Sequence, residues 1–155
     1  MNALDTLFDH VLWADDRARR EIAAIDSSKP QRAQATRIHA HLAGSCHTWL
    51  SRLQGRDPVH GIWPELTLEE ASALTRESVA GLRAIAAAGS AALDRTIEYR
   101  NTKGETFRNR VGDVLIHVAL HMSYHRGQLA LLARQADSAP IATDYIVYVR
   151  ELPGA

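Results

Sequence analysis

The chain has 155 residues, and its 18 Lys plus Arg are balanced by 18 Asp plus Glu. This length suits one domain over residues 1–155 that folds without a disulfide or structural metal, and no apolar run approaches the ~20 residues of a membrane-crossing helix. Because there is no net positive field and no signal-peptide pattern, we expect a soluble cytoplasmic protein with neither a nucleic-acid nor a membrane partner.

Two long helices are predicted in the first third of the chain. Apolar residues recur at three- and four-residue spacing over residues 4–25, which indicates an amphipathic helix, and the segment 26–30 with its proline ends it. A second helical pattern covers residues 31–53 and stops at Gly55, a favourable C-terminal cap. Residues 56–66, which include two prolines, are predicted to form a loop.

A third helix and a small hairpin are predicted next. Thr67 and Glu70 are spaced as a capping box, which starts a helix that should run to Gly89. Residues 96–100 and 105–107 alternate in polarity on either side of a glycine-containing turn, as the two strands of a short β-hairpin do.

The last part of the chain carries a fourth long helix. Asn109 is expected to cap this helix, which should reach Gln135, and the apolar segment 141–151 should pack back as a strand or short helix. The predicted fold is therefore all-α, an up-down four-helix bundle with a small β-hairpin before helix four. Such bundles build metal sites from inward-facing side chains of neighbouring helices.

Three histidines lie on one stripe of the fourth helix. Residues four apart stand one turn above each other, so His121 and His125 can both reach one ion at roughly 2.0–2.1 Å. His117 is about 12 Å from His125 along the axis, too far to share that ion, and we expect it to be a hydrogen-bonded histidine near the site or on the helix surface. A third ligand must then come from another helix.

The second helix offers His39, His41 and His47 for that role. At ~100° per residue, His47 is rotated some 240° from His41, so these two cannot reach the same target. His41 borders the apolar face that carries Leu42 and Trp49, whereas His39 is expected to point toward water. His41 is preferred, and the other two remain alternatives.

Several other reactive or small residues are expected to be structural. Cys46 is interpreted as a buried, unreactive thiol, and Asp15 and Asp16 as surface charges. Tyr124 could reach a bound substrate, but we expect its ring to lie in the core with a wet hydroxyl. Gly127 is expected to let another helix approach closely.

Two segments carry a recognisable pattern, His41–Leu53 and His117–Gln128, the second with a His-x-x-x-His-Arg-Gly-Gln motif. With them, most of the chain resembles the DinB family of damage-inducible bacterial proteins, which shares only a name with the translesion polymerase. Proteins of this family are four-helix bundles, commonly homodimers, that bind a divalent metal through one histidine of helix two and two of helix four. The resemblance implies His41, His121 and His125 as metal ligands, and a homodimer.

The resemblance also suggests a function. Three neutral imidazoles leave a coordination position for water or substrate, with zinc or nickel as the first choice of metal and iron, manganese or copper as others. Some relatives in the wider superfamily are transferases that use a small thiol cosubstrate, such as bacillithiol or mycothiol.

Our first hypothesis is therefore a metal-dependent enzyme acting on a small-molecule substrate. A low-molecular-weight-thiol S-transferase in detoxification or stress response is preferred over a hydrolase. The alternative is a non-enzymatic, stress-induced metal-binding protein in which the metal is structural or sensory. The sequence identifies neither a catalytic residue nor a basic pocket for the carboxylates of a thiol.

Overall fold

A computed structural model describes residues 3–139 and 142–153 of the chain. In chain order, the elements are α1 (Ala3–Ala24), α2 (Pro30–Leu53), α3 (Leu68–Ala86), α4 (Ser90–Asp94), β1 (Thr96–Arg100), β2 (Thr106–Arg110), α5 (Val111–Gln135) and α6 (Tyr145–Arg150). The long helix α2 packs against α3 and α5, and α1 packs against the same two helices. This mostly helical arrangement is compatible with the predicted four-helix bundle. Within the described residues, no helix has both the length and the apolar character to cross a bilayer.

The four long helices contribute to one hydrophobic core. Its largest members are at most 1% exposed and come from every long helix, as in Phe8, Leu42, Leu82, Leu115 and Met122. Each such side chain stabilises the folded state by about 1.5–3 kcal/mol relative to an exposed one. The core therefore fixes the helices relative to one another, and with them the side chains on their edges.

The predicted capping box at the start of α3 is confirmed. The Thr67 hydroxyl accepts a hydrogen bond from the Glu70 backbone N–H at 3.2 Å, and the Glu70 carboxylate accepts one from the Thr67 N–H at 2.8 Å. The helix ends at Ala86, before the predicted Gly89, because Gly89 adopts a φ of 92° and a short helix, α4, follows it.

The hairpin was predicted, but its second strand is longer than expected. Antiparallel pairing continues to Arg110 opposite Thr96, so Asn109 is a strand residue opposite Ile97. The prediction that Asn109 caps the following helix is therefore wrong. Its side chain instead accepts a hydrogen bond from the Tyr99 hydroxyl at 2.8 Å, and Arg110 occupies the cap position.

The C-terminal segment packs on α1 as the short helix α6. The Glu151 carboxylate accepts hydrogen bonds from Trp13 Nε1 at 2.9 Å and from Arg17 at 2.6 Å. His10 Nε2 donates to the Thr143 carbonyl at 2.8 Å. The segment predicted as a strand or short helix is thus helical over Tyr145–Arg150, and its first residue, at position 141, lies outside the described residues.

Candidate metal centre

Three histidines from two helices converge at one edge of the core. His41 on α2 and His121 and His125 on α5 each offer a ring nitrogen, and these nitrogens lie within 4.8 Å of one another. His41 Nε2 and His125 Nε2 are 3.3 Å apart. Tetrahedral ligands at ~2.05 Å from one ion are themselves ~3.3 Å apart. This spacing fits the His41–His125 pair, and the three-histidine cluster could hold a metal ion.

The second ring nitrogens of two of these histidines are already engaged. His41 Nδ1 donates to the Ile62 carbonyl at 2.9 Å, and His125 Nδ1 donates to Gln128 Oε1 at 2.7 Å. A proton held on Nδ1 leaves the Nε2 lone pair free for a cation, which is the usual arrangement around metal-binding histidines. The residues present thus fit a divalent cation, and Gln128, one turn after His125, accounts for the end of the His-Arg-Gly-Gln motif.

The electrostatics of the cluster also favour neutral imidazoles. Burial, together with the neighbouring His125, His41 and His117, lowers the pKa of His121 to about 4. Burial also lowers the pKa of His41, although its hydrogen bond to Ile62 acts in the opposite direction. Neutral imidazole is the form that binds metal, so protons compete weakly with a cation here at neutral pH.

A glycine beside His41 allows the loop to reach the cluster. A Cβ atom on Gly44 would lie 2.6 Å from both the Gly61 carbonyl oxygen and Pro64 Cδ, and 2.9 Å from the Ile62 carbonyl oxygen. The absence of a side chain at Gly44 therefore permits the loop to lie directly on α2. That contact brings the Ile62 carbonyl within hydrogen-bond distance of His41.

Exposed aromatic rings flank the cluster. Trp63 stacks on His41, with ring centroids 3.8 Å apart, and is 51% exposed. Tyr124 meets His125 edge-on at 5.1 Å and is 69% exposed. The prediction that the Tyr124 ring lies in the core is wrong, because this position faces outward from α5. Both rings are placed to contact a molecule that approaches the cluster from solvent.

Comparison with known sequences identifies the family of this chain. The sequence model of the DinB family matches residues 1–152. The chain belongs to the DinB family. A curated relative, Protein DinB of Bacillus subtilis (strain 168), is 33% identical over 57 residues, which is 37% of this chain. The match spans 33% of that relative's length.

His39 of this DinB-family chain lies away from the cluster. It is 1% exposed, and its Nε2 donates to Asp15 Oδ1 at 2.9 Å, while Ser72 Oγ donates to Asp15 Oδ2 at 2.7 Å. The predictions that His39 points toward water and that Asp15 is a surface charge are both wrong. The carboxylate can be buried because two donors from other helices form hydrogen bonds with it. Burial by itself raises the pKa of Asp15, but the hydrogen bonds from His39 and Ser72 outweigh burial, and the pKa lies below its ordinary value. Asp16, in contrast, is only partly buried and pairs with Arg19 and Arg20.

His47 also lies outside the cluster. Its Nε2 accepts a hydrogen bond from the Val59 backbone N–H at 3.2 Å, and its ring meets that of His60 at 5.5 Å. His117 is closer, with its ring 5.6 Å from that of His121 and 5.2 Å from that of Trp49, but it is not one of the three converging residues.

The remaining sequence predictions have mixed outcomes. Cys46 is fully buried and unpaired, and burial together with the charge of Asp15 raises its pKa to about 12, as expected for an unreactive thiol. Within one protomer the interpretation of Gly127 is wrong, because no described atom outside its own stretch of helix lies within 4 Å of a Cβ built there. Sequence reasoning missed Gly44, Ile62 and Trp63, since their roles depend on where the loop crosses α2.

Proposed function

We propose that this DinB-family protein is a metal-dependent enzyme acting on small molecules, built on an up-down four-helix bundle. His41, His121 and His125 would hold a divalent ion, with zinc or nickel preferred. The observation that carries the proposal is the convergence of three histidine ring nitrogens, with the opposite nitrogens of His41 and His125 donating to carbonyl oxygens. Three imidazoles leave a fourth position for a substrate atom, which is typical of catalytic rather than structural sites.

Thiol S-transfer is the reaction that we favour. A bound divalent ion would supply the Lewis acidity that lowers the pKa of a bound thiol or water molecule to near 7 or below. The thiol sulfur then forms a bond to an electrophilic carbon, the leaving group departs with its bonding electron pair, and the thiol proton goes to solvent. Trp63 and Tyr124, whose exposed rings contact His41 and His125, would position the reactants against the histidines.

Replacement of His121 by alanine tests this proposal. We expect tag-free His121→Ala protein to lose both bound metal in elemental analysis and conjugation of a small thiol to 1-chloro-2,4-dinitrobenzene, with helical content preserved. His117→Ala is the matched control on the same helix stripe and should keep both. An unchanged rate of conjugation in the His121→Ala protein would contradict the proposal.

One feature favours the alternative, a non-enzymatic metal-binding protein of the stress response. The cluster joins α2 to α5, so an ion there would cross-link two helices of the core. If the metal is structural or sensory, chelation should lower the melting temperature by a large amount, and no thiol should be turned over. If the protein is an enzyme, chelation should abolish turnover and added metal should restore it.

We also propose that the protein is a homodimer. Ile116, Leu120, Tyr124 and Leu131 are all exposed and lie within about 80° of one another on α5. An apolar stripe of this kind is typical of an interface. Leu120→Asp should shift the mass measured by analytical ultracentrifugation from dimer to monomer, and a monomeric wild-type protein would contradict the proposal.

A further inference from the structure

A groove of about 740 Å³ runs between the C-terminal half of α2, the loop after it and the β-hairpin. On the α2 side it follows the helix face that carries His41, because Thr48 and Arg52 lie within about 20° of His41 at ~100° per residue. Ile62, whose carbonyl accepts the hydrogen bond from His41, lines the same groove. None of the three histidines lines the groove, which begins beside the loop that carries Ile62. Arg52 lies about three turns of α2, or ~16 Å, from His41 along the helix axis.

The guanidinium of Arg52 is held in place at the far end of this groove. It lies 4.7 Å from the ring centroid of Trp49 and 4.9 Å from that of Tyr99. One of its amino groups donates to the Arg100 carbonyl at 3.0 Å. Trp49 and Tyr99 meet edge-on with their centroids 5.0 Å apart, so the guanidinium contacts both rings without lying between them. These two cation–π contacts and the hydrogen bond to Arg100 restrict its orientation, which favours recognition of a planar anion by its remaining N–H groups.

Arg52 has no acidic partner within ion-pair distance among the described residues. A guanidinium carries five N–H donors, and the Arg100 carbonyl uses one of its two amino groups. Arg52 is thus an oriented, half-buried cation with unused hydrogen-bonding capacity, which distinguishes it from a surface arginine in a salt bridge.

The charges around the groove favour an anion. Its charged lining residues are Arg52, Arg56, Asp57, Glu98 and Arg100, three cations and two anions. Glu98 is already paired with Arg108, which is not a lining residue, at 3.5 Å. The uncompensated charge in the groove is therefore positive, and a positive cleft with low-dielectric walls attracts anionic ligands.

We propose that this groove binds the acidic tail of an extended small-molecule substrate, and that Arg52 recognises a carboxylate or phosphate on that tail. The inference rests on the proposed function, since it places the reactive end of the same molecule at the three-histidine cluster. Carboxylate and phosphate share the pair of oxygens that an arginine binds with two parallel hydrogen bonds. A low-molecular-weight thiol with an acid group remote from its sulfur has this chemistry.

Two matched pairs of thiols test the proposal by isothermal titration calorimetry with the zinc-loaded protein. Phosphopantetheine is compared with pantetheine, and glutathione with its diethyl ester, so that only the acid groups change within a pair. We expect the charged member of at least one pair to bind wild-type protein roughly tenfold more tightly or better, as charge-assisted hydrogen bonds provide. The pair that shows this preference identifies the acid as phosphate or carboxylate.

Arg52→Gln should reduce this preference to about twofold or less while leaving the affinity for the neutral member unchanged. Arg37→Gln is the matched control, because Arg37 lies on the same helix, 5.3 Å from the Trp63 ring and outside the groove. It should keep the wild-type preference. Arg52→Lys retains the charge but lacks the planar guanidinium, so it should show an intermediate preference for the charged thiol. It provides a second test if Arg52→Gln unfolds.

Equal binding of both members of each pair by wild-type protein would overturn the inference. So would equal losses for charged and neutral members in Arg52→Gln, or a lost preference in Arg37→Gln alone. Failure of the proposed function has a different signature. Neutral pantetheine would then bind no better with zinc than without it, while the difference between phosphopantetheine and pantetheine would still report on Arg52.

Discussion

Replacing Gly44 by alanine perturbs the candidate metal centre without changing a ligand. The new Cβ atom would lie 2.6 Å from the Gly61 carbonyl oxygen, whereas ordinary contact begins near 3.4 Å. The loop must therefore move by about 0.8 Å, from the difference of these distances. Because the same loop carries the Ile62 carbonyl, its movement should stretch the 2.9 Å hydrogen bond that orients His41 beyond the ordinary ~3.2 Å limit.

The expected result of Gly44→Ala is a loss of metal affinity in a folded protein. Removal of a hydrogen bond to the second nitrogen of a ligand histidine typically costs ~10–100-fold in metal affinity. This range corresponds to about 1.4–2.7 kcal/mol of binding free energy. Competition for zinc against a chromogenic chelator measures it, and circular dichroism confirms that the helices are retained.

Gly127→Ala is the matched control. Gly127 lies two residues after His125 on α5, and within one protomer a Cβ atom there has no neighbour within 4 Å. Alanine should leave zinc affinity unchanged, because the added methyl group contacts neither the loop nor the three histidines. Zinc affinity within twofold of wild type in folded Gly44→Ala protein, or an equal loss in Gly127→Ala, would refute the reasoning.

Three further predictions concern the buried polar network and the thiol. Asp15→Ala should lower the free energy of unfolding in urea by about 3–5 kcal/mol, since it leaves buried donors on two other helices without an acceptor, whereas Asp16→Ala should change it by less than ~0.5 kcal/mol. The pKa of Asp15 in the folded protein lies below the ordinary 3.8, so its contribution to the free energy of unfolding is complete above pH 3.8 and is lost as the pH falls through the folded-state pKa. Urea titrations from pH 7 to 2 should show that Asp15→Asn lacks this part of the loss of stability in acid. Cys46 should react with a chromogenic disulfide reagent at pH 8 only after unfolding in guanidinium, and rapid labelling of the native protein would contradict its burial.

Local patterns in the sequence were sufficient to predict several parts of this structure. The four-residue spacing of His121 and His125 is a property of the α-helix itself, so their shared face follows directly from the sequence. The same applies to the reciprocal bonds of Thr67 and Glu70, which involve neighbours within one turn. Such features depend only on the spacing of residues along one helix, which can be read directly from the sequence.

Features that depend on contacts between distant segments could not be predicted in this way. His39 lies ~200° from His41 around α2, and its burial requires a carboxylate 24 residues away on α1. The length of β2 likewise depends on cross-strand pairing and on the Tyr99 hydroxyl, which binds the side chain that had suggested a helix cap. In both cases a polar residue satisfied by tertiary structure was assigned a local role.

The carbonyl of Ile62 binds the nitrogen of His41 that lies opposite its cation-binding nitrogen, and this has a thermodynamic consequence. If a bound ion restricts the motion of the loop through His41, a ligand that binds the loop should bind more tightly when the ion is present. The ion's own affinity must then rise by the same factor when that ligand is bound, because linkage between two binding events is reciprocal. A molecule that fills the groove beside Ile62 and an ion at the histidines should therefore strengthen each other's retention. Backbone amide exchange around Gly61 would report this cooperation, slowing most when both are present.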